Sequence, residues 1–264
     1  MAYKRVVIKV GTSTLTYENG KLNIGRMESL CKVICDLSNS GMEIILVTSG
    51  AVGVGMGKLS IKERPHDIEE KQALAAVGQC ELMFMYDKLC GYYNNIVAQV
   101  LMTGDIVDRP RSKVHVINTF NMLLKKGIIP IVNENDAVSI DELEGHSFGD
   151  NDMLSAIVAG LVHADMLVIL TDIDGLYDDN PAKKPNARKL DTVDVIDERI
   201  ISMAGGSGSN RGTGGMATKL RAALHVTKRD IPCCVMSGAE PERIYDLLKG
   251  ENVGTMFSAG GKKR

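Results

Sequence analysis

Hydrophobic and polar positions alternate along this chain in two rhythms. In Arg5–Val10 the residues Val6, Ile8 and Val10 share one parity, while Val7 and Lys9 share the other, which is the two-residue period of a strand. From Ile24 to Ser40 the apolar positions Met27, Leu30, Cys31, Ile34 and Leu37 fall at helical spacing, with Asn23 placed to cap and Gly41 to stop. The exchange then repeats. Strands are predicted over 44–48, 96–102, 128–132, 166–170, 233–236 and 254–257, and helices over 69–90, 118–126, 153–164, 216–228 and 241–248. Residues 173–189, broken by Pro181 and Pro185, read as loop. Strand, polar or glycine-rich break, then helix is the pattern of an α/β fold. It predicts a three-layer αβα sandwich on a mainly parallel sheet, with ligands bound at the carboxyl ends of the strands.

The breaks themselves carry the polar chemistry. Lys9 sits one step before the Gly11-Thr12-Ser13 turn, and a lysine in so apolar a strand asks for a partner. The strand at 44–48 runs into Ser49-Gly50-Ala51-Val52-Gly53-Val54-Gly55, where glycines let backbone amides approach a ligand. The strand at 128–132 ends in Asn133-Glu134-Asn135-Asp136, and after a polar loop Gly149-Asp150-Asn151-Asp152 opens an apolar helix. Taken alone, Asp136 shapes a turn and Asp150 or Asn151 caps a helix; two such clusters closing one loop point instead to a site. Thr171-Asp172 ends the strand at 166–170. Gly205 to Lys219 is glycine-rich yet leads straight into a helix whose first turn carries Lys219, a position that a cation tolerates only beside an anion, for which phosphate is the expected candidate.

Totals narrow the classes. With 264 residues, 44% hydrophobic and 24% charged, the chain is long enough for a large core, and its formal net charge of −2 gives no electrostatic footprint for nucleic acid. No apolar run approaches a membrane span and the first strand begins without a signal-peptide core, so a cytoplasmic protein is expected. The six cysteines lack metal-ligand spacing and read as buried free thiols. Neither GxGxxG nor GxxxxGK[ST] occurs, which argues against a dehydrogenase and a P-loop enzyme. Two lysines, a carboxylate and two glycine-rich turns suit phosphoryl transfer, whose catalysis is mostly positioning and charge neutralisation.

The segments IKVGTST, VTSGAVGVG, KQALAAVGQ, IVNENDAV, FGDND, LTDIDGLYDDNP and GTGGMATK, in that order, resemble the amino acid kinase family, and within it the glutamate 5-kinase branch. The resemblance implies one kinase domain over 1–264, with a substrate lobe at about 1–165 and a nucleotide lobe at about 166–264, and no PUA domain after it. It further implies phosphorylation of L-glutamate on its side-chain carboxylate by ATP with Mg2+. On that reading Lys9 and Lys219 stabilise the transferring group and Asp150 holds both lysines. Ser49, Gly50, Ala51, Asn133, Asp136 and Asn151 would bind the substrate. Lys9, Gly11, Thr171, Asp172, Thr213, Gly214, Gly215, Met216, Ala217, Thr218 and Lys219 would bind the nucleotide. Proline as feedback inhibitor, glutamate-5-semialdehyde dehydrogenase as pathway neighbour and a dimer or tetramer are expected from the same resemblance. Kinases of the family acting on acetylglutamate, aspartate or UMP are the nearest alternatives, and IVNENDAV speaks against them. A non-catalytic sensor on the same fold would have lost Lys9, Asp150 or Lys219, and all three are present.

Overall fold

In the computed structural model, which describes residues 3–106, 109–138, 150–181, 184, 186–204 and 215–260, the parity of the first strand decides the layering. Strand β1 (Arg5–Val10) leads through a short helix, α1 (Thr12–Leu15), to α2 (Ile24–Asn39), which Asn23 caps by accepting from the Arg26 amide at 3.1 Å. Next come β2 (Glu43–Thr48), α3 (Ala51–Leu59), α4 (Ile68–Gly91) and β3 (Val97–Met102). Helix α5 (Pro110–Lys125), with proline in its first turn, starts well before the expected 118, and its two buried side chains, Phe120 and Leu124, both lie in its second half. Then follow β4 (Ile129–Glu134), α6 (Asn151–Leu161) and β5 (Met166–Thr171). Beyond them lie β6 (Thr192–Val193), α7 (Glu198–Met203), α8 (Met216–Thr227), β7 (Cys233–Ser237), α9 (Ile244–Lys249) and β8 (Gly254–Phe257).

The strands form one sheet in the order β3-β4-β2-β1-β5-β7-β8-β6. Among the described strands every pairing is parallel except β7 with β8, which are joined through α9, an antiparallel strand of a kind common on doubly wound sheets. Val6, Ile8 and Val10 face one helical layer with Leu30, Ile34, Leu82 and Leu247, while Val7 faces the other with Phe120, Leu124, Ile157 and Val226. The three-layer αβα sandwich expected from the alternation is the fold found. Each fully buried aliphatic side chain contributes about 1.5–3 kcal/mol, so the strands' two-sided burial is the main stabilising term.

Two local expectations need correction. The segment after β2 is a helix from Ala51 onward rather than an open glycine turn, and Gly55 within it serves helix packing. A Cβ at Gly55 would stand 2.1 Å from the Leu74 carbonyl oxygen, and one at Gly78 would stand 1.7 Å from that of Ala51, so α3 and α4 touch backbone to backbone. Among the cysteines, five are buried free thiols as expected, but Cys80 is exposed on α4.

Candidate active site

Chain direction places the site. From β1 the sheet grows one way through β2 and the other way through β5, so the loops leaving adjacent strands diverge above β1 and leave a crevice at their carboxyl ends. Lys9, the penultimate residue of β1, rises on the Val7 side into this crevice and is 6% exposed. Its Nζ lies 2.6 Å from Oδ1 of Asp152, a wholly buried carboxylate in the first turn of α6. The other oxygen, Oδ2, accepts from Lys219 Nζ at 3.1 Å and from Thr218 Oγ1 at 2.8 Å, both on the first turn of α8. One carboxylate thus joins two ammonium groups contributed by opposite halves of the chain. Burial by itself would raise the Asp152 carboxyl, but the charges of Lys9 and Lys219 and their hydrogen bonds hold it well below the usual carboxylate range.

This arrangement corrects the role expected of Asp150. Asp150 takes the extended N-cap position of α6, φ −118° and ψ 121°, and its Oδ1 accepts from the Asp152 amide at 3.0 Å. A cap side chain folds back over its own helix, whereas Asp152, two residues or about 200° further round, projects toward Lys9 and α8. Burial first, and the neighbouring Asp152 charge second, raise the Asp150 carboxyl above its ordinary value, with Lys9 opposing them. The anion that stabilises Lys219 at the start of α8 therefore includes one supplied by the protein, where phosphate alone was expected.

On one side of the cluster opens a cavity of about 730 Å³. Gly50, Ala51, Asp136 and Asn151 line it, which brings together four of the six expected substrate residues from α3, the end of β4 and α6. Gly50 carries φ +102° as the N-cap of α3, a conformation that favours glycine, and it turns the uncapped first amides of α3 into the cavity wall. Ser49 is buried just ahead of it but is not among the lining residues. Asn133 is not brought to the cavity either. It lies on the α4 side of β4, 1% exposed, and its Nδ2 donates to Gln79 Oε1 at 2.8 Å. The expectation ended β4 at Val132; the strand continues to Glu134 and carries Asn133 into the core as a structural amide.

The expected nucleotide residues fall on the other side. Gly11 abuts Lys9, since a Cβ there would lie 3.7 Å from its Nζ and 3.8 Å from the Leu170 carbonyl oxygen. Thr171 ends β5, next to β1, and its Oγ1 donates to Asp172 at 3.0 Å. Gly215, the N-cap of α8, offers no side-chain cap, so among the described residues no side chain caps the amides of Met216 and Ala217, which lie beside Thr218 and Lys219. Thr213 and Gly214 lie outside the described residues.

Sequence reasoning missed Asp152 and the segment Thr16 to Lys21 that walls the large cavity with Arg64 and Lys71. The signal for Asp152 was present: once Asp150 is the cap, the next acid two residues on must sit in the first turn of an otherwise apolar helix. For residues 16–21 no period or motif marks a ligand role.

Comparison with known proteins follows the same lines. Residues 4–237 match the sequence model described as the amino acid kinase family. The chain is 56% identical over 257 residues to a glutamate 5-kinase of Clostridium perfringens (97% of this chain, 96% of that one). It is 51% identical to one of Listeria innocua (97% and 93%) and 49% identical to one of Enterococcus faecalis (98% and 96%). Among solved structures it is similar to a UMP kinase from Bacillus anthracis, with TM-score 0.67 and 19% identity over 98% of this chain and 97% of that one. An isopentenyl phosphate kinase aligns with TM-score 0.64 and 18% identity over 96% and 100%. At such identities the two structures speak to the fold alone.

Proposed function

The chain belongs to the amino acid kinase family, and from that premise we propose that it is a glutamate 5-kinase, transferring the terminal phosphoryl group of ATP to the side-chain carboxylate of L-glutamate. The products are γ-glutamyl phosphate and ADP, and the reaction opens proline biosynthesis. The observation that carries the chemistry is the pairing of Lys9 and Lys219 on one buried carboxylate, Asp152, at the carboxyl ends of the strands.

Glutamate enters the cavity lined by Gly50, Ala51, Asp136 and Asn151. Asp136 takes its ammonium group, the open amides of α3 take its α-carboxylate, and Asn151 directs the γ-carboxylate toward Lys9. That nucleophile has an unperturbed pKa of about 4.3, is ionised at neutral pH and needs no general base. The nucleotide lies across β5 and α8, with its phosphates on the amides of Met216 and Ala217 and beside Gly11. Lys9 and Lys219 then lie on either side of the transferring group and neutralise its charge, while Asp152 keeps both ammonium groups in place without reorganisation; removal of a preorganised donor of this kind typically costs about 10²–10³ in kcat. The described residues include no group of three metal-binding side chains, so they fit an ion carried by nucleotide phosphates rather than a cage of their own. Mg2+ bound to ATP would supply further neutralisation of the phosphate oxygens.

The substrate lobe spans about 1–165 and the nucleotide lobe about 166–264, divided where β5 begins. Proline inhibits in competition with glutamate, the labile acyl phosphate goes on to glutamate-5-semialdehyde dehydrogenase, and the protein works in the cytoplasm as an oligomer. No described helix is long and apolar enough to cross a membrane. The experiment is an assay with ATP and Mg2+ in which hydroxylamine traps the acyl phosphate. Glutamate should give the hydroxamate; ADP release with aspartate, acetylglutamate or UMP but none with glutamate would refute the assignment.

A further inference from the structure

The charges on the segment that joins α3 to α4 are sorted by sign. In residues 62–71, KERPHDIEEK, the three cations Lys62, Arg64 and Lys71 all line the substrate cavity, whereas none of the four acids Glu63, Asp67, Glu69 and Glu70 does. Asp67 caps α4 instead, accepting from the Glu70 amide at 3.3 Å, and Glu69 and Glu70 occupy the first turn, where negative charge suits the helix dipole. Lys21, from the segment after α1, brings another cation to the same lining. Among the described residues none of these four side chains makes an ion pair. The acids of the lining are Glu18 and Asp136, and the chain as a whole carries −2. Positive charge is therefore gathered on one cavity of a protein whose overall charge repels anions.

The cavity is also longer than its proposed substrate. Its lining follows α3 from Gly50 to Gly57 and continues through Ser60 and Ile61. From Gly50 to Gly57 the helix rises about 10 Å, whereas glutamate is no longer than the ~7 Å of two extended residues. Seated at the Gly50 end with its γ-carboxylate toward Lys9, it does not reach the outer end. There Lys62 and Arg64 follow α3 in the chain, and Lys71 lies one turn before Leu74, whose carbonyl meets Gly55. These cations act on the substrate across water rather than by contact.

We propose that the outer end of this cavity is an electrostatic vestibule, in which Lys62, Arg64 and Lys71, with Lys21, hold a positive potential that draws an anionic substrate in and strengthens its binding from a distance. They are positioning residues, not catalytic ones. The identity of the anion, glutamate, rests on the function proposed above. At ~10 Å in water one unit charge roughly doubles the binding of an opposite one, so three together are worth about 10-fold when unscreened. Salt removes the effect, because the screening length falls from ~30 Å at ~0.01 M to ~3 Å at ~1 M.

Calorimetric titration of the whole protein with L-glutamate, at ionic strengths from ~0.01 M to ~1 M, tests the vestibule independently of turnover. The triple variant Lys62→Gln, Arg64→Gln, Lys71→Gln should bind glutamate about 10-fold more weakly than wild type at the lowest salt, and the two should converge at the highest. A control triple, Lys88→Gln, Lys113→Gln, Lys125→Gln, removes the same charge from exposed positions that do not line the cavity and should keep the wild-type affinity. The proposal is overturned if the first triple binds as wild type does at low salt, or if its loss persists undiminished at ~1 M, which would mean direct contact. It is equally overturned if the control triple loses as much, which would trace the effect to net charge, or if wild type does not bind glutamate. Binding with the expected salt pattern but without hydroxamate formation would refute the phosphorylation and leave the vestibule standing.

Discussion

Asp150 and Asp152 are two residues apart and burial raises both carboxyls, but the lysines around Asp152 reverse its shift while Asp150 stays raised. Asp152 is held below the ordinary carboxylate range by two lysines, so its contribution to stability is present above that range, about pH 3.9, and is lost as pH falls through its folded value. Asp150 is raised by burial and by Asp152, so its ionised form is a penalty that is relieved as pH falls through its folded value. Asp152→Asn should leave two buried ammonium groups without their counter-ion, lowering unfolding free energy by about 3–5 kcal/mol in denaturant titration along with a large fall in kcat. Asp150→Asn keeps a cap acceptor for the Asp152 amide and removes the penalty, so its melting temperature at neutral pH should equal or exceed that of wild type, the difference shrinking in acid. A clear loss of stability in Asp150→Asn at neutral pH would contradict this division of roles. Asp136 is tested through binding: Asp136→Ala should raise the KM for glutamate at least ~10-fold, or ~1.4 kcal/mol, with little change for ATP. An unchanged glutamate KM would remove Asp136 from the site.

The contact between helices α3 and α4 shows how packing away from the substrate can control the site. Gly78 on α4 admits the Ala51 carbonyl of α3, and Gly55 admits the Leu74 carbonyl in return, which sets the first turn of α3 against the cavity. Gly78→Ala should therefore force the helices apart, costing about 1–3 kcal/mol of stability and raising the glutamate KM more than that for ATP. Equal effects on both KM values would show that α3 is not the wall of the glutamate site. This contact also marks what the sequence could reveal. Strand β1 was readable because its two-residue period separates Val6, Ile8 and Val10 from Val7 and Lys9, and α2 because Asn23 and Gly41 bound a helical stripe. Helix α3 was not, because glycines at 53, 55 and 57 signal a turn locally, and the packing of Gly55 on Leu74 of α4 and of Gly57 on Gly20 exists only in the folded chain. The tiny β6 and the exposed α7 lack any buried period to read.

At the scale of the whole molecule, an alternation of strands and helices foretold three layers and a ligand edge, but not the order β3-β4-β2-β1-β5-β7-β8-β6 that brings β1 and β5 together. That adjacency is what allows Lys9, near residue 10, to meet Lys219 from the far half of the chain. The same long-range geometry explains why the role expected of Asp150 passed to Asp152: sequence proximity named the acidic cluster, while the direction of α8 against α6 selected which acid faces both lysines. On the proposed function, phosphoryl transfer across the two halves requires Lys9, Asp152 and Lys219 to act as one unit. The most direct measurement of that claim is a double-mutant cycle on kcat for glutamate phosphorylation with Lys9→Ala and Asp152→Asn. The unit predicts strong non-additivity, the double variant being little slower than the slower single one. Losses that simply add, to within about 0.5 kcal/mol, would contradict it.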